Sequence, residues 1–76
     1  MAKGNGKEST YVIIEVVGTS KKSWEDAAMS AVKSASRSLK DLRVAEVIQT
    51  DLKIEKGKAT AFRTRLNLSF KYHGQG

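Results

Sequence analysis

Arg63, Arg65 and Lys71 stand at even spacings near the end of the chain, so in an extended segment all three side chains share one face. A row of cations like this can hold phosphate or another anion. Glu46, Gln49 and Asp51, with Glu55 a little further on, supply oxygens of the kind a hard cation takes, calcium above all. Calcium gathers about six to eight oxygens, and the chain has no dense acidic cluster, so such a site needs several copies brought together by symmetry. Nucleophilic catalysis has no basis here. There is no cysteine, and the single histidine, His73, lies in the terminal tail, which leaves the helix serines without an internal base. The chain is expected to bind and not to catalyse.

A chain of 76 residues makes one domain, and at that size it buries only about 60% of the surface its unfolded form exposes. With no cysteine to form a disulfide or a thiolate zinc site, oligomerisation is the expected remedy for a small core. No apolar run approaches the roughly 20 residues that cross a bilayer, and residues 1 to 7 lack the apolar stretch of a secretory signal, so a cytoplasmic protein without membrane contact is expected. Residues 1 to 8 read as a disordered tail, 9 to 72 as a single domain and 73 to 76 as a frayed end. The net charge of +6 is dispersed along the chain and reads as a solvated basic surface.

Four elements position the candidate residues. The β-branched and aromatic run from Thr10 to Val17, apolar on both faces except at Glu15, predicts a strand that is central or covered on both sides. Ser23-Trp24-Glu25-Asp26 has the layout of a helix N-terminus, with the Ser23 hydroxyl as cap. Trp24, Ala27, Ala28, Ala31, Val32, Ala35 and Leu39 then recur at helical spacing as one buried stripe ending near Leu39, with Trp24 expected to pack onto a sheet. After Asp41 the period becomes two. Val44, Glu46, Ile48, Thr50, Leu52 and Ile54 fall on one side of a second strand, and Ala45, Val47, Gln49, Asp51, Lys53 and Glu55 on the other. Lys56-Gly57 is a two-residue hairpin turn leading to a third strand.

Counting back evenly from that turn puts Glu55 opposite Lys58, Thr50 opposite Arg63, Ile48 opposite Arg65 and Val44 opposite Ser69. One face then joins Phe62, Leu66, Leu68 and Phe70 to Ala45 and Val47 and seats the helix. The other joins Val44, Ile48, Leu52 and Ile54 to Arg63, Arg65, Asn67 and Lys71, and nothing in the chain is left to cover it. An exposed apolar patch of this kind marks an interface, so other copies of the chain are expected to cover it.

Val17-Gly18-Thr19-Ser20, Ser23-Trp24-Glu25-Asp26-Ala27, the alanine-rich helix, Glu46-Val47, the Lys56-Gly57 hairpin and Leu66 with Phe70 together resemble the dodecin family over residues 10 to 72. The resemblance implies an α+β fold of order βαββ, a three-stranded antiparallel sheet partly wrapped around one helix, assembled as a hollow homododecamer. It also implies a ligand site at the positions of Val44, Ala45, Glu46, Arg63 and Arg65. In flavin-binding dodecins, flavins such as FMN or riboflavin stack between subunits on a tryptophan that starts the second strand, and a glutamine on the third strand grips the ring. Val44 and Arg63 occupy those positions here. Valine offers no aromatic platform and arginine only donors, so flavin stacking is expected to be weakened or lost. Many flavin dodecins carry arginine where this chain has Asp51. These departures, the Arg43-Val44-Ala45 string and the Ser69-Phe70-Lys71 ending resemble the calcium dodecin subgroup, which implies calcium in place of flavin, with Glu46, Gln49 and Asp51 as candidate ligands.

Two further readings compete. A nucleic-acid binder could run a phosphate backbone along Arg63, Arg65 and Lys71, but that face lacks the exposed aromatics on which sheet-based RNA readers stack bases. In a purely structural shell, Arg63 and Arg65 pair with acidic residues across subunits.

Overall fold

The computed structural model describes residues 10–72. The expectations for residues 1 to 9 and 73 to 76, His73 included, lie outside the described residues. Within them the chain runs β1 (Tyr11–Ser20), α1 (Trp24–Ser36), β2 (Leu42–Glu55) and β3 (Lys58–Lys71). The three strands form one antiparallel sheet in the order β1-β3-β2, the expected βαββ arrangement. No helix among the described residues is long and apolar enough to cross a membrane.

The middle strand is β3, not β1. The β2–β3 hairpin inserts its second arm between β1 and β2, which leaves β1 on an edge. Val12, Ile14 and Val16 face the helix from positions opposite Phe70, Leu68 and Leu66. Tyr11, Ile13 and Val17 project from the other side and remain exposed within the chain. Apolar character on both faces of β1 therefore reflects a surface that no other described residue of the protomer covers.

Ser23 caps α1 as its sequence context requires. Its backbone is extended (φ −171°, ψ 165°), and its Oγ accepts from the amide of Asp26 at 2.9 Å. The Asp26 carboxylate accepts from the Ser20 hydroxyl at 2.6 Å, and Ser20 Oγ accepts in turn from the amide of Lys22 at 2.9 Å. These bonds fix the tight link from strand to helix. The helix stops at Ser36, short of Leu39, whose amide donates to the Ala35 carbonyl at 2.9 Å as the chain unwinds. Asp41, at φ 60°, redirects it into β2.

Ala31 of α1 presses against Leu66 and Leu68 of β3, both only 1% exposed, with Ile14, Val16, Ala28, Val32, Ala35 and Leu42 around them, and Ala27 is fully buried beside Gly18. The small helix stripe allows a close approach at Gly18, where a Cβ would lie 2.1 Å from the Ala27 carbonyl oxygen. Thr64 is fully buried and satisfied, its hydroxyl donating to the Trp24 carbonyl at 2.8 Å. Trp24 sets its ring edge-on to Phe62, with centroids 5.0 Å apart, and its Nε1 donates to the Asp51 carbonyl at 3.0 Å. It packs on the sheet as expected, with part of its ring still open to solvent.

The hairpin turn is confirmed at Lys56-Gly57. Both residues have positive φ, 52° and 77°, the pattern of a type I′ turn. Even alternation along the hairpin fails, however. Thr60 is an extra residue in β3, and Ile48 and Arg43 are extra residues in β2. Glu55 still meets Lys58 and Val44 still meets Ser69, because the bulges at Thr60 and Ile48 cancel. Between them the pairing is one residue out of step. Arg63 faces Asp51, not Thr50, and Arg65 faces Gln49, not Ile48.

Candidate functional site

The corrected register composes the outer face of the sheet, away from the helix. Opposite residues share a face, so the residues of β3 at Arg63, Arg65, Asn67, Ser69 and Lys71 define successive rows across it. Thr19, Arg63 and Asp51 form one row, and Val17, Arg65 and Gln49 the next. Glu15, Asn67 and Glu46 follow, then Ile13, Ser69 and Val44. Acidic and amide oxygens therefore alternate with apolar side chains, and Ile13 and Val44 are 60% and 56% exposed.

Most of the expected ligand positions are brought together. Val44, Glu46, Arg63 and Arg65 lie on this face, whereas Ala45 points to the helix side opposite Leu68. Strict alternation separates Glu46 from Gln49 and Asp51. The Ile48 bulge reverses that separation and puts all three on the outer face. It also corrects the apolar half of the patch: Leu52 pairs with Phe62 on the helix side and Ile48 sits in the bulge. Tyr11, Ile13 and Val17 of β1 supply the exposed apolar surface instead.

Arg63 grips Asp51 as a two-pronged fork, Nε to Oδ1 at 2.7 Å and Nη2 to Oδ2 at 2.9 Å. Such paired, charge-assisted bonds add directionality to attraction. The fork holds the Asp51 carboxyl below the usual carboxylate range and the Arg63 guanidinium above its own. Arg65 stands 3.7 Å from Glu15, a looser pair. Among the described residues Glu46 makes no ion pair, and no three acidic or histidine side chains converge on a common point.

Complementary charge alone does not disclose the fork. Asp51 and Arg63 suit one another across a hairpin, but pairing them requires an extra residue in β3 before the count from the turn. The Arg65–Glu15 contact required knowing that β3 lies between β1 and β2.

Neither implied ligand fits a single protomer. At the flavin positions an aliphatic Val44 offers no ring to stack on, and Arg63, with its Nε–Nη2 edge committed to Asp51, offers donors but no acceptor. For a hard cation, both oxygens of Asp51 already have a cationic partner, and Gln49 and Glu46 are too few to complete a shell. A complete site on this face needs a second copy.

A lowered carboxyl value has a definite pH signature. Asp51 is depressed in the folded chain, so the fork stabilises fully above the unfolded carboxylate value near pH 4 and its contribution disappears as pH falls through the lower folded value. Solvent reaches both partners, 37% and 36% exposed, so the effect is modest. The melting temperature of Asp51→Asn is therefore expected to lie below that of the parent at pH 7, with the gap closing as pH falls below about 4. A gap that stays constant as the solution is acidified would show that the carboxylate charge is irrelevant to folding.

A profile of the dodecin family matches residues 10–73. Among curated proteins, the calcium dodecin of Mycobacterium tuberculosis is 43% identical over 63 residues, covering 83% of this chain and 89% of its relative. The solved structure of that relative, a calcium-chelating antigen with a calcium-binding site, superposes with a TM-score of 0.77 at 40% identity, over 90% of this chain and 97% of its own. A dodecin from Streptomyces coelicolor superposes with a TM-score of 0.82 at 35% identity, over 91% and 99% of the two chains.

Proposed function

The chain belongs to the dodecin family, and from that premise we propose that twelve copies close into a hollow shell whose sheet faces hold a small ligand or ion, with calcium favoured over flavin. One observation carries this reading: the outer face of the sheet exposes Tyr11, Ile13, Val17 and Val44 beside paired charges, and no further element among the described residues covers it. Exposed apolar surface of this kind is covered by a partner, and in a small domain its burial adds to a limited core. Native mass spectrometry tests the assembly, with about 100 kDa expected for twelve copies of 8.3 kDa. Release of bound small molecules from the same sample reads the ligand. A stably folded single chain at micromolar concentration would overturn the reading.

Calcium is favoured because Glu46, Gln49 and Asp51 share the outer face, and because the relative at 43% identity is a calcium dodecin. Flavin is disfavoured by the fork on Arg63 and by the aliphatic Val44. Titration with riboflavin is expected to leave its fluorescence nearly unquenched at micromolar protein, and submicromolar quenching would refute the loss of flavin stacking.

The same fork bears on the alternatives. Arg63 and Arg65 meet acids within their own chain, so they present no free cationic track for a nucleic-acid backbone. Those pairs do suit a purely structural shell, formed inside each subunit and not across subunits. Replacing Arg63 in such a shell alters thermal stability with no ligand affinity to lose. The reading is one of binding, and no residue arrangement on this face points to a reaction.

A further inference from the structure

We propose that the tip of the β2–β3 hairpin of one copy fills a groove between α1 and β2 of the next, as the head-to-tail contact that carries assembly beyond a pair. The inference rests on the shell proposed above and adds to it a second interface, on the helix side of the sheet, with a stated occupant.

The hairpin outruns the rest of the protomer. β1 ends at Ser20 opposite Phe62, and α1 begins with Trp24 set edge-on to that same ring, so residues 53–61 extend past both elements. Leu52 and Ile54, two apart on β2, lie on the helix side of this arm and are 44% and 59% exposed. No further described element lies over them. Thr10 and Tyr72, where the described chain begins and ends, are hydrogen-bonded to one another at the opposite end of the sheet.

The groove is the complement of the tip. α1 lies over β1 and β3 and leaves the helix side of β2 largely open. Between helix and strand is a cavity of about 410 Å³ walled by Trp24, Ala28, Met29 and Val47, with Glu25 beside them. Met29 and Val47 are apolar and exposed, like Ile54. Charge agrees with the fit. Glu25 makes no ion pair among the described residues, and neither do Lys56 and Lys58 on the two sides of the turn. Seating Ile54 in the groove brings a cationic tip to an unpaired carboxylate, an apolar centre with a charged rim.

A patch that meets its own copy about a two-fold axis joins two chains and stops, whereas a contact between two different surfaces repeats from copy to copy until a ring closes. An outer face that pairs with itself gives dimers. Growth to twelve needs a contact of the second kind, and tip and groove are two different surfaces.

Met29→Cys/Ile54→Cys in this cysteine-free chain tests the contact. Met29 borders the groove at Val47, and Ile54 lies further along β2 by roughly 23 Å at about 3.3 Å per residue, whereas a disulfide needs Cα atoms within about 7 Å. Any disulfide therefore joins two copies. After treatment of the assembled protein with oxidised glutathione, non-reducing denaturing electrophoresis is expected to show covalent trimers and larger species, and each single substitution is expected to leave monomers. Covalent species that stop at the dimer would overturn the head-to-tail contact. A double variant that assembles by native mass spectrometry but forms no disulfide would overturn the proposal while the shell reading stands, and a parent that stays monomeric would remove both. Charge reversal gives an independent check. Glu25→Lys is expected to lower the assembled fraction at micromolar protein by more than about half, because like charges then meet at the rim. Adding Lys56→Glu and Lys58→Glu is expected to restore it, and failure of that reversal would also overturn the proposal.

Discussion

Gly18→Ala is expected to cost this protein most of its folding stability. The added methyl carbon would lie 2.1 Å from the Ala27 carbonyl oxygen and 2.9 Å from the Ala31 Cβ, and the first of these is backbone that no rotamer change can move aside. Relief requires α1 to retreat from β1, which opens the contacts of Ala27 and Ala31 with the sheet. Overpacking a tight core typically costs about 1–3 kcal/mol, and a clash with helix backbone belongs at or above the top of that range. A whole domain commonly has only about 5–15 kcal/mol of stability, and one this small belongs near the bottom. Urea unfolding followed by circular dichroism checks the outcome: a midpoint far below that of the parent, or no cooperative transition, is expected. A midpoint within experimental error of the parent would mean that the helix docks with more freedom than the structure indicates.

Ile13→Glu is expected to leave the protomer fold largely intact and to break the assembly. Ile13 is 60% exposed, stands on an edge strand and faces away from the Leu66–Leu68 core, so its loss removes little from within the chain. In the proposed shell that surface is covered by another subunit. A carboxylate buried there without a partner is strongly unfavourable, and its row offers only Ser69 and Val44. Sedimentation velocity should show loss of the dodecamer at micromolar protein, with helix and strand signals retained at higher concentration. Normal assembly by this variant would place Ile13 outside the interface.

These two substitutions sit at opposite ends of what local sequence discloses. Gly18 between an eight-residue β-prone run and a helix start reads simply as a break. Its true role depends on how closely the alanines at 27 and 31 let the helix approach, a tertiary distance. The Ser23 cap and the Lys56-Gly57 turn were legible because each is a contact between residues a few positions apart. The helix seat on Leu66 and Leu68 was legible because period-two alternation in β3 is unbroken where the helix docks.

The site was harder to read. Composition left β1 either central or covered on both sides, and the strand order removes the first alternative, since a strand with two apolar faces can be covered either by its own chain or by another. The face containing Arg63 and Arg65 was correctly separated from the helix, and Val44 was correctly set opposite Ser69, but the β2 neighbours of the two arginines were not. Asp51 and Gln49 replace Thr50 and Ile48 because of bulges at which no glycine or proline stands to announce them. Nor does periodicity reveal which charges find one another. The Asp51–Arg63 bonds depend on a register that backbone irregularities create.

The bulges at Thr60 and Ile48 also have a consequence for how sequences of this shape can diverge. Together they act like two compensating frameshifts: the segment between them is read in a different phase, while the strands on either side keep theirs. Deletion of Ile48 would leave Val47 opposite Leu66 and Gln49 opposite Arg65, because Ile48 is the unpaired residue, and deletion of Thr60 would likewise leave Lys53 opposite Ala61 and Ile54 opposite Ala59. A deletion or insertion elsewhere in either arm instead slides one strand past the other and exchanges the two surfaces beyond it. Length variation in this hairpin should therefore be tolerated at the bulges themselves, where a residue can be lost without changing which side chains meet.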